Sequence, residues 1–146
     1  MRTELDRFVQ AQHGVFERAL DELRAGCKRS HWMWFVFPQL RGLGRSTQSV
    51  FYGIRGLDEA QAWLAHPLLG PRLEAATRSV LDCGQSPLHV FGELDSLKFR
   101  SCMTLFAHAA APGSVYEAAL RIAGGADERT LALLADDGCA SPDRFG

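Results

Sequence analysis

One lysine inside an apolar helix is the first arrangement in this sequence that could do chemistry. In "DSLKFRSCMTLFAHA", residues 95–109, a helical wheel puts Phe99, Cys102, Met103 and Phe106 on one arc and Leu94, Leu97, Leu105 and His108 on a second. Lys98 falls between the arcs and is expected to point inward, whereas Arg100 shares the polar side with Ser96 and Thr104. With Asp95 as N-cap, Lys98 would stand in the first turn, where a cation opposes the helix dipole. An unpaired buried ammonium is costly. A bound anion would relieve both problems, because free backbone N–H groups and the ammonium would converge on it. The alternatives are a pair with Asp95 or a side chain that reaches solvent. Ser101 is counted with Lys98 among the ligand-binding candidates.

Two further stretches supply groups of the same kind. "RGLGRS", 41–46, has glycines that permit close backbone approach, and Arg41 and Arg45 add charge around Gly44. It lacks the spacing of a Walker loop and the preceding strand of a dinucleotide fold, so a plain glycine loop is the competing reading. "KRSHWMWFVFPQL", 28–40, sets two tryptophans and two phenylalanines behind Lys28, Arg29, Ser30 and His31. Trp32 and Trp34 are two residues apart and cannot share a helical face. Core burial is expected for Trp34, Phe35 and Phe37. Trp32 and Gln39 are expected to meet a ligand, and His31 to serve as acid or base. Aromatics flanked by cations suit a stacked base.

Several signatures are missing. The sequence has no HExxH and no GxSxG, and its histidines have no metal-ligand spacing with Cys27, Cys83, Cys102 and Cys139. No metal and no cofactor are expected. Cys102 reads as buried and inert.

The elements that must position these groups read as helices. Apolar residues recur at helical spacing over 4–12, 15–25, 57–65, 71–82, 95–110, 114–123 and 128–136, with 30–36 as a further helix capped by Ser30. Pro71 suits a first helical position, and Asp127 a cap. Residues 41–56 read as the longest irregular stretch, and 138–146 as a loose tail. No segment alternates with a period of two. The expected fold is all-α, one irregular multi-helix domain over 1–146. With 146 residues and 47% hydrophobic composition, a core forms without disulfides. A net charge of −1 argues against extended nucleic-acid binding. No apolar run reaches membrane-spanning length, and a reduced cytoplasmic setting is expected.

The blocks "KRSHWMWFVFPQLRGLGRS", "AWLAHPLLGPRL", "FGELDSLKFRSCMTLFA" and "DERTLALL" resemble, in the same order and across nearly the whole chain, the signature blocks of the bacterial DUF1810 family. The resemblance implies an all-helical fold and supplies no activity. Where the family block reads like "LRSSMTLF", this chain has Cys102 in place of a serine, which weakens any role for a hydroxyl there. In size, helical character and aromatic-plus-basic composition the chain is also similar to NADAR domains, small helical proteins that cleave N-glycosidic bonds; none of their catalytic residues is carried over. The expected function is a pocket for a phosphorylated nucleotide or ADP-ribose-like anion, with hydrolysis of an N-glycosidic bond as the reaction in view. Asp95 would then be the stabilising carboxylate and His31 the alternative acid or base. The competing reading is a non-catalytic module that holds a partner protein through exposed Trp32 and Phe37.

Overall fold

The computed structural model describes residues 4–139. Among them are nine helices: α1 (Asp6–Gln12), α2 (Phe16–Arg24), α3 (Met33–Val36), α4 (Thr47–Phe51), α5 (Leu57–Ala65), α6 (Leu69–Asp82), α7 (Pro87–Ala109), α8 (Val115–Ile122) and α9 (Glu128–Cys139). The described residues contain no strand, only an isolated parallel bridge between Leu40 and Ile54. The fold is all-α. None of the described helices is long and apolar enough to cross a membrane. The tail expected over 138–146 lies, beyond residue 139, outside the described residues.

Helix α7 is the axis of the core. It packs on α5, α8 and α9, while α6 bridges α2, α5 and α8. Its first apolar arc, Phe99, Cys102, Met103 and Phe106, is fully buried, as the periodicity requires. Aromatic rings carry much of the packing. Phe8 meets Trp63 edge-on at 4.6 Å. Phe37 stands edge-on to Phe91 and Phe99 at 5.7 and 5.2 Å.

The helices and their ends depart from the sequence reading at several places. Residues 41–56 are not simply irregular: Ser46 caps the five-residue α4 by accepting from the Ser49 N–H at 3.1 Å. Arg41 N donates to Ile54 O at 2.7 Å and Ile54 N to Gln39 O at 2.8 Å, which ties both ends of that segment together. Helix α3 starts at Met33, and Ser30 does not cap it; its hydroxyl is taken instead by the carboxylate of Glu22. Helix α6 starts at Leu69, ahead of Pro71, because His66 Nδ1 accepts from the N–H groups of Leu68 and Leu69 at 3.1 and 3.2 Å.

Asp95 is not an N-cap. Helix α7 begins at Pro87 behind the Ser86 cap and is broken at Gly92, whose φ of 81° and ψ of 176° are open to glycine alone. The helical run after the break starts at Glu93, so Asp95 is its third residue and Lys98 lies beyond its first turn. The second apolar arc also divides: Leu105 is buried, but Leu94 and Leu97 are 73% and 56% exposed.

Candidate functional site

The turn after α2 is built around one carboxylate. Glu22, in the last turn of α2, receives the N–H groups of Arg29 at 2.8 Å and Ser30 at 3.0 Å. It also receives the Ser30 hydroxyl at 2.6 Å and the Trp32 indole N–H at 2.9 Å. Burial works to raise its pKa. The bonds from the Ser30 hydroxyl, the Arg29 N–H, the indole and the Ser30 N–H outweigh that effect and hold it at about 2. Trp32 is thereby pinned in the core at 1% exposure.

This anchoring reverses the expected roles of the two tryptophans. Trp32 and Phe37 are core residues, so they cannot be the exposed anchors of a partner-binding module. Trp34 is only half-buried and walls a recess against α7. A four-residue helix has too little periodicity to say which ring turns inward; the pull of Glu22 on one indole settles it.

The segment 28–34 does meet α7. Lys28 Nζ donates to Asp95 Oδ2 at 2.8 Å, and Lys98 Nζ donates to Asp95 Oδ1 at 2.9 Å. Lys28 is the more buried ammonium, with its side chain 9% exposed against 25% for Lys98. Each lies against an indole face, Lys28 at 5.2 Å from the Trp32 ring centre and Lys98 at 4.7 Å from that of Trp34. Burial opposes ionisation of Asp95, but the hydrogen bonds and charges of Lys28 and Lys98 hold its pKa below the usual carboxylate range. The cluster has two cations and one anion and therefore carries a surplus positive charge.

Beside Lys98 lies a recess of about 330 Å³. Trp34, Gln39, Gly44, Tyr52, Lys98 and Arg129 are in its wall, with Leu94 and Leu97 at the α7 edge. Arg129 is oriented by a 2.8 Å bond from Nη2 to Leu43 O. Of the candidate ligand-binding residues, Gln39 and Gly44 line this recess together with Lys98. Arg29, His31, Arg41 and Arg45 are exposed and do not line it. Ser101 is buried, and its hydroxyl donates back to Leu97 O at 3.1 Å.

The sequence reading missed Glu22, Trp34 and Arg129. Glu22 and Arg129 sit in ordinary amphipathic helices, and only tertiary contact marks them out. Among the described residues no group of three His, Cys, Asp or Glu side chains could hold a metal.

A larger hollow, about 750 Å³, opens between the start of α5 and α9 beside Arg55, Glu59 and His108. There Glu59 is already shared by Arg7 at 3.3 Å and Arg55 at 3.5 Å, a pairing that holds α1 to α5.

No curated protein matches this chain. Its structure is similar to the crystal structure of the conserved hypothetical protein Rv1873 from Mycobacterium tuberculosis. The two are 54% identical with a TM-score of 0.87, over 90% of this chain and 96% of that one. The model of the protein-of-unknown-function family DUF1810 matches residues 2–134. With that match running from α1 into α9, and with the four quoted blocks falling on α3, α5–α6, α7 and α9, the chain belongs to the DUF1810 family.

Proposed function

We propose that the recess at Trp34 and Lys98 binds a phosphorylated small molecule of the nucleotide or ADP-ribose type. The observation that carries this reading is the surplus cation: Lys98 stands at the wall of a recess that Arg129 also lines, and a single carboxylate serves both Lys98 and Lys28. Trp34 and Tyr52 provide flat apolar surface for a ring, and Gln39 a donor and an acceptor for its polar edge. Binding is better supported than hydrolysis of an N-glycosidic bond. Asp95, the expected stabilising carboxylate, has both oxygens on ammonium groups, and His31 is exposed away from the recess.

Thermal unfolding with ADP-ribose, NAD and nucleoside phosphates tests this. A ligand at about a hundred times its Kd stabilises by about 2.7 kcal/mol, a rise of several degrees in Tm. That rise should vanish in Lys98→Met. No rise with any of these compounds, in wild type and Lys98→Met alike, would overturn the proposal.

One observation favours a second reading, docking of a partner protein: Leu94 and Leu97 are large apolar residues exposed side by side on α7. It predicts that Leu94→Glu abolishes partner capture, and that no nucleoside phosphate raises the Tm of the wild-type protein.

A further inference from the structure

We propose that Asp95 is a built-in competitor for the ligand's negative charge and that Lys98 is the cation it gives up, so that the recess selects multiply charged phosphoryl groups over monoanions. This inference rests on the anion-binding reading of the recess.

The division of Asp95 between two lysines is unequal. Oδ2 is held by Lys28, whose side chain is 9% exposed and lies against the core residue Trp32. Oδ1 is held by Lys98, whose side chain is 25% exposed and lies against Trp34 in the recess wall. When Lys98 turns to a ligand, Asp95 keeps Lys28, and no buried charge is stranded. Were Lys28 the one to leave, a nearly buried ammonium would lose its carboxylate partner at the cost that attends breaking such pairs. Lys98 is therefore the exchangeable cation, and Asp95 sets the threshold for exchanging it.

That threshold has a chemical meaning. A monoanion such as acetate offers Lys98 one negative charge, which Asp95 already supplies at 2.9 Å with no loss of ligand freedom. A phosphoryl or pyrophosphoryl group offers more charge and several acceptor oxygens. It also reaches donors of Arg129 left over from the bond to Leu43 O, since a guanidinium carries five N–H groups. The second kind of ligand offers Lys98 and Arg129 contacts that Asp95 does not already supply. The geometry thus makes Asp95 a specificity-determining residue, with no covalent step.

Calorimetric titration of the full chain with pyrophosphate and with acetate, at low ionic strength, tests this in wild type, Asp95→Asn and Lys98→Met. Asp95→Asn should bind pyrophosphate about fivefold more tightly and narrow the preference over acetate, as expected for removing one partly exposed competing charge. Lys98→Met should lose pyrophosphate binding. Should Asp95→Asn fail to fold, the wild-type protein still decides the matter by NMR of the lysine ε-methylenes. On pyrophosphate addition the Lys98 signal shifts and the Lys28 signal stays. Wild-type binding without tightening in a folded Asp95→Asn, or binding that moves Lys28 as much as Lys98, overturns this inference and leaves the anion-binding reading standing. A wild-type protein that binds neither pyrophosphate nor any nucleoside phosphate overturns both.

Discussion

Replacing Glu22 tests whether one carboxylate organises the whole approach to the recess. Four donors reach it at 2.6–3.0 Å, and three of them, the N–H groups of Arg29 and Ser30 and the indole of Trp32, converge on Oε1. Glu22→Gln keeps an oxygen for those three and turns an amide toward the Ser30 hydroxyl, which can accept. It removes charge while preserving shape. The folded pKa of about 2 lies below the ordinary 4.5, a difference equivalent to ~3 kcal/mol, which screening at this partly exposed site reduces to about 1–2 kcal/mol. Because the folded pKa is depressed, that stability is fully present above pH 4.5 and is lost as pH falls toward 2. Glu22→Ala also strands the buried Trp32 indole and two backbone N–H groups, and about 3–4 kcal/mol is expected at pH 7. Urea unfolding followed by tryptophan fluorescence, at a series of pH values, measures both variants. The gap between wild type and Glu22→Gln should close on acidification. A gap that is the same at pH 7 and pH 3, or a loss below ~1 kcal/mol in Glu22→Ala, would refute the assignment of this carboxylate as the organiser.

Three further outcomes are expected. Gly92→Ala should cost about 1–3 kcal/mol by chemical denaturation, through backbone strain, since φ is 81° and, apart from its chain neighbours and the adjacent helix backbone, nothing lies within 4 Å of the added Cβ. Gly53→Ala should cost about as much for the opposite reason: its Cβ would come within 2.7 Å of Arg41 Cβ and Ser49 O, which spreads the Leu40–Ile54 bridge beside the recess and should weaken ligand-induced stabilisation as well. Lys28→Met should leave Asp95 with Lys98 as its ammonium partner and weaken pyrophosphate binding severalfold, whereas a titration indistinguishable from wild type would show that Lys28 plays no part in freeing Lys98.

The sequence by itself determined the helical class, most helix positions and the buried arc of α7. Burial of Phe99, Cys102, Met103 and Phe106 follows from spacing, because a long helix must turn one stripe to the core. Local chemistry was legible too: Asp127 caps α9 by accepting from Thr130 N at 2.9 Å, and the pairing of Lys98 with Asp95, weighed as an alternative to a bound anion, lies within one turn. What tertiary structure decided is which groups meet across the chain. Lys28 reaches Asp95, Glu22 takes the Trp32 indole from within another element, and Gly44 and Arg129 come to the same recess from distant parts of the sequence. Periodicity reports one helix's own faces, whereas the partner of a polar side chain depends on packing angles and loop paths that no short window encodes. Hence Trp32 and Trp34 exchanged their expected places, and the buried ammonium proved to be Lys28 rather than Lys98.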